Sequence, residues 1–137
     1  IGEYGLEINE KKTDTIRFAK VVGAQKADRP LQYLGFTFDG ARKLIRSSAF
    51  AKFSDKMRRG VNLARLSAKK HNKRRPSSLP IWKQTLYERY SHLGSRNFIS
   101  YGLRAADEMG SQAIKRQLRP LWGRLERKIA KANADLL

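Results

Sequence analysis

The stretch Gln32-Tyr33-Leu34-Gly35-Phe36-Thr37-Phe38-Asp39-Gly40, with Lys43-Leu44-Ile45-Arg46-Ser47 after it, decides the fold class. Gln32 to Phe38 reads as a strand carrying a glycine in the middle of an apolar run. Asp39-Gly40 is a strong hairpin signal, because glycine adopts the left-handed backbone that tight turns require. Lys43 to Ser47 returns as the next strand. Upstream, Thr13 to Lys20 (T-D-T-I-R-F-A-K) is rich in β-formers and partly alternating, so it reads as a further strand, with Val21 to Pro30 as a loop. Gly5 suits the left-handed cap of a helix ending there. A small antiparallel sheet is expected from this region.

From Phe50 the period changes from two to between three and four. Phe50, Phe53, Met57, Val61, Ala64 and Ala68 define one helical face, with Lys52, Lys56, Arg59 and Lys70 roughly opposite. An amphipathic helix is therefore expected from Phe50 to Lys70. The tract His71-Asn72-Lys73-Arg74-Arg75-Pro76-Ser77-Ser78 reads as a basic loop, and Pro80 suits the first turn of the next helix. That helix carries Trp82, Leu86, Arg89 or Tyr90, and Leu93 on one side, and Gly94 ends it. Ser95 can cap a third helix running to about Asp107. Ser111 can start a fourth, with Ile114, Leu118, Trp122, Leu125, Ile129 and Ala132 as its stripe, and Pro120 should kink or restart it. The fold class is α+β: a small antiparallel sheet followed by about four helices, with a boundary between 1–48 and 49–137.

Thirty Lys and Arg against twelve Asp and Glu give the 137 residues a net charge of +18, so a polyanionic partner is the leading inference. The charge is not evenly spread. Residues 1–41 hold six bases and six acids; residues 42–75 hold thirteen bases and one acid, Asp55. This step marks the passage from a neutral packed region to a surface facing polyanion. The chain has no cysteine, which excludes disulfides and thiolate metal sites, and His71 and His92 have no second ligand at metal spacing. The sequence lacks both a long apolar run and a signal-peptide pattern, so a cytoplasmic protein is the expectation. The start at Ile1 without methionine is the start expected of a fragment.

Two motifs in order resemble the last palm motifs of bacterial-type reverse transcriptases, the family of retron, group II intron and antiphage-defence enzymes. Ile8-Asn9-Glu10-Lys11-Lys12-Thr13 is similar to that family's Leu-Asn-x-x-Lys-Thr turn, with Ile replacing Leu, and Tyr33-Leu34-Gly35-Phe36 resembles its primer grip. The resemblance implies the end of a palm domain followed by a thumb, from an RNA-directed DNA polymerase. It places Lys12 near the leaving pyrophosphate, where an ammonium can stabilise or protonate developing negative charge. It gives Tyr33, Leu34 and Gly35 the support of the primer's 3′ end; read as one strand, Tyr33 and Phe36 point to opposite faces, so at most one touches nucleic acid.

The basic helix then corresponds to the first thumb helix, lying along a template–primer duplex. A polymerase must accept any sequence, so phosphate and sugar contacts are the kind required. Lys52, Lys56, Arg58, Arg59, Arg65, Lys69, Lys70, Lys73, Arg74 and Arg75 are the phosphate candidates. Asn62 is the candidate for a 2′-hydroxyl or base edge, and Gly60 for a close approach. The resemblance stops at the metal site. The family's carboxylates, which hold two Mg²⁺ ions, have no counterpart here, so Mg²⁺ is expected on residues outside this chain and the fragment is expected to be inactive alone. The implied partners are an RNA template with its DNA primer and the missing fingers and palm. Two competitors explain the charge: a non-catalytic RNA-binding module of a ribonucleoprotein, and a membrane-surface protein using its basic helix. Trp82, Tyr87 and Tyr90 have the chemistry to stack on bases, but their helical spacing places them in the core.

Overall fold

The computed structural model describes residues 5, 15–21, 23–75 and 78–136. Five short strands precede four helices: β1 (Phe18–Val21), β2 (Ala24–Ala27), β3 (Leu31–Tyr33), β4 (Phe36–Phe38), β5 (Lys43–Ile45), α1 (Ser47–Arg74), α2 (Gln84–Tyr90), α3 (Phe98–Met109) and α4 (Gln112–Ala134). The α+β class expected from the change of period is what the chain adopts. The strands form two antiparallel sheets, β1-β2 and β3-β4-β5.

Two segments differ from their expected form. The stretch expected as a loop contains β2, which pairs with β1 from Phe18↔Ala27 to Val21↔Ala24. Gly23, at φ 77°, takes the left-handed turn that lets the chain double back. The stretch expected as one strand from Gln32 to Phe38 is a hairpin. Tyr33 pairs with Phe36, and Leu34 and Gly35 between them have φ of 48° and 84°. Positive φ at both central residues is the two-residue turn whose twist matches its flanking strands. A leucine there costs roughly 1–2 kcal/mol of local strain. Asp39-Gly40 makes the expected second turn, where the Asp39 carboxylate accepts the N–H groups of Ala41 (3.0 Å) and Arg42 (2.6 Å).

The core lies among the helices and reaches the sheet. Met57, Ile114, Leu121, Leu125 and Ile129 are fully buried, and Ile45 of β5 joins the same cluster. Burying each such side chain contributes about 1.5–3 kcal/mol. Two side chains lock the sheet to the bundle. Gln117 of α4 accepts from the N–H of Ile45 (2.9 Å) and donates to its carbonyl (3.1 Å), closing the open edge of β5 as another strand would. Ser111 caps α4 by accepting from Ile114 N–H and donates its hydroxyl proton to the Lys43 carbonyl at 2.7 Å.

The helices also correct the sequence at several points. α1 runs to Arg74 through the tract expected as a loop, since nothing breaks it before Pro76; Arg75 is extended, as a residue before proline prefers. α2 begins only at Gln84. Asn72 holds both backbone groups of Leu79, and Asn133 accepts from Ile81 N–H, so the segment before α2 spends its polar groups on side chains rather than on helix. Trp82 therefore lies ahead of α2 and is exposed, and Leu93 is exposed as well. Asn97, not Ser95, caps α3: it accepts from Ser100 N–H and also donates to the Glu88 and Ser91 carbonyls at the end of α2. α4 continues through Pro120 instead of restarting there. Its stripe buries Leu121 where Trp122 was expected; Trp122 packs at the margin against Tyr87 and His92.

Candidate nucleic-acid interface

An α-helix that buries one stripe exposes the residues about half a turn away. α1 buries Phe53, Met57 and Val61, so Lys52, Lys56, Arg59, Leu63, Leu66, Lys70 and Lys73 run along its outer side. The row interleaves cations with two exposed leucines, Leu63 at 66% and Leu66 at 46% exposure. Cations suit phosphates and apolar side chains suit sugar edges, a mixture that reads no base sequence. With 28 residues the helix is about 42 Å long, more than one turn of a duplex, roughly 34 Å. Arg58, Asn62, Arg65 and Lys69 form a second row on the flank. Arg74 and Arg75 are exposed at the C-terminal end.

Four of the expected contact residues have structural partners of their own. Arg58 and Arg59 both grip Asp55, at 2.6 and 2.7 Å, so the lone acid of the basic stretch occupies two candidate phosphate ligands. The Arg58 hydrogen bond, with the charge of Arg59, holds the Asp55 carboxyl below its ordinary range. The Asn62 carbonyl accepts from Arg65 at 2.9 Å, so its amide N–H groups are the side it can offer an outside acceptor. Gly60 has a packing role: a Cβ there would lie 2.5 Å from the Tyr90 hydroxyl, so this glycine lets α1 and α2 approach.

The hairpin tip sits beside the start of α1. Tyr33 and Leu34 are exposed at 69% and 75%. As direct partners across the β3-β4 ladder, Tyr33 and Phe36 share one face rather than opposite ones. Phe36 is half-buried against Tyr101, with ring centroids 6.1 Å apart, so Tyr33 is the accessible member. The carbonyl of Gly35 accepts from the N–H of Arg46 at 3.0 Å, and Arg46 is the residue that leads into α1. One hydrogen bond thus joins the exposed tip to the root of the basic helix. Lys12 and its turn, including Ile8 and Asn9, lie outside the described residues.

Sequence reasoning missed two cations. Arg124 and Lys128 of α4 line a groove of about 410 Å³ with Arg58 and Asp55 of α1, extending the basic surface across the helix pair. Their spacing of four residues, off the apolar stripe of α4, was the available signal; only packing shows that this side meets α1.

Among the described residues no group of three metal-ligating side chains occurs. Three carboxylates are engaged elsewhere: Asp39 in its turn, Asp55 with two arginines, Asp107 with Lys115 at 2.6 Å. These residues do not fit a pair of Mg²⁺ ions. Among the described residues no helix is long and apolar enough to cross a membrane. No family model and no curated protein matches this chain.

Proposed function

We propose that the chain is the C-terminal part of an RNA-directed DNA polymerase of the reverse-transcriptase type, comprising the end of the palm and a helical thumb that holds the template–primer duplex. The observation that carries this reading is the juxtaposition at Arg46: an exposed two-residue hairpin tip, Leu34-Gly35, hydrogen-bonded to the N-cap residue of a 28-residue basic helix. A polymerase needs that pairing, because the primer's end must be positioned where its duplex is gripped. Tyr33 and Leu34 would bear on the primer strand, and the outer row of α1 on phosphates and sugars. Lys12 would stand near the leaving pyrophosphate. The Mg²⁺ ions belong to carboxylates of the fingers and palm, which the fragment does not supply, so it binds duplex without extending a primer.

The test is the salt dependence of binding to an RNA–DNA hybrid, read by fluorescence anisotropy. Each phosphate contact contributes a slope of about −0.9 in log K against log salt on B-form DNA. Changing Lys52, Lys56, Lys70 and Lys73 to Ala together should flatten the slope by about three to four such contacts. An unchanged slope would remove α1 from the interface and end the reading. The second reading is a non-catalytic RNA-binding module, favoured by the engagement of Asp39, Asp55 and Asp107 in turns and ion pairs. A full-length protein that binds hybrid yet never extends a primer with Mg²⁺ present would establish it over the first.

A further inference from the structure

Trp82 is exposed at 71%, although its spacing from Leu86 and Tyr90 suits a core position. An exposed indole offers a partner a flat apolar face with one polar edge. It borders a groove of about 480 Å³ between the second half of α1 and the segment leading into α2, within the size range of small-ligand sites. Leu63, Leu79 and Leu86 supply apolar walls; His71 and Arg89 supply polar edges, and among the described residues no acidic one lines it. Two turns of helix are about seven residues, so Lys56 and Lys70 lie on the same side of α1 as Leu63, and Arg74 on that of Ser67. The segment bearing Trp82 is anchored on both sides. Asn72 clasps Leu79, and the buried Ile81 donates to Asn133 at 2.9 Å. The indole is therefore presented on fixed backbone.

Resting on the duplex-binding reading of α1, we infer that this groove takes an unpaired nucleobase from a single strand continuing beyond the duplex. The base stacks on Trp82, and its flanking phosphates meet Arg74 and Arg89. A flat apolar ring edged by hydrogen-bonding groups and joined to anions matches an apolar slot with a cationic rim. An acidic or neutral apolar peptide matches only half of that description.

The test uses the full chain and two labelled RNA–DNA hybrids of about 16 base pairs, one blunt and one carrying about six unpaired nucleotides. The extended hybrid should bind about tenfold more tightly than the blunt one, within the range a stacked base supplies. Trp82→Ala should erase that increment while leaving blunt binding unchanged, and Trp82→Phe should retain most of it. An extension that adds nothing, or an equal loss on both hybrids in Trp82→Ala, overturns the inference while leaving the duplex reading standing. Failure of the blunt hybrid to bind wild type overturns the duplex reading instead; Trp82-dependent binding of the free single strand would still support the groove. Self-association abolished by Trp82→Ala, read by sedimentation velocity, would assign the groove to a second copy and also overturn the inference.

Discussion

Asp55 is the one acid among thirteen bases between residues 42 and 75, and it ties up Arg58 and Arg59 by contacts of 2.6 and 2.7 Å. Asp55→Asn removes the competing charge while preserving the shape of the side chain. If α1 carries the polyanion, one or two guanidiniums become available to phosphates, each adding about −0.9 to the salt slope. Between 50 and 200 mM salt the affinity of the variant should then fall about 3.5-fold more than wild type for one new contact, and about 12-fold more for two. Affinity at the low-salt end should rise. Both ion pairs are exposed, so folding should be nearly indifferent to the change and urea unfolding serves as the control. Anisotropy titrations of an RNA–DNA hybrid across that salt range supply the measurement. A slope equal to or shallower than wild type would mean that these arginines do not face phosphate, and the assignment of the α1 flank would be withdrawn.

Three further outcomes are expected. If the chain is the polymerase part proposed above, Lys12→Ala in the intact protein should slow single-turnover nucleotide addition more than it weakens duplex binding; equal losses would refute a part in the chemical step. Gln117→Ala leaves the N–H and carbonyl of Ile45 without their partner and should destabilise the fold by about 1–3 kcal/mol in urea unfolding; a change within about 0.5 kcal/mol would show that Gln117 does not hold the hairpin. Asp39 is held at a pKa of about 2, below its ordinary 3.8, chiefly by the backbone N–H groups of Arg42 and Ala41. A depressed folded pKa stabilises above the unfolded value and is lost as pH falls toward about 2. The excess stability of wild type over Asp39→Asn should accordingly shrink between about pH 5 and pH 2, and a pH-independent difference in urea midpoint would refute the assignment.

What could be read from the sequence was whatever depends on neighbours along the chain. The apolar period of α1, the Asp39-Gly40 turn, the Ser111 cap and the run of bases after residue 41 are local patterns, and the fold class follows from them. Leu34-Gly35 escaped because a non-glycine residue at positive φ has no composition signal; the ladder on both sides imposes it. Leu121 and Trp122 satisfy the stripe of α4 equally well, being three and four residues from Leu118, and only the neighbouring helices choose Leu121 for burial. The packing role of Gly60 showed only when α2 placed the Tyr90 ring against it. Asn72 and Asn133 shortened α2 and turned Trp82 outward by satisfying backbone groups from afar. In each case the chain's own pattern allowed two outcomes of similar local energy. Packing and hydrogen bonds between elements distant in sequence selected one, because a steric clash or an unpaired buried backbone group costs more than a local preference supplies.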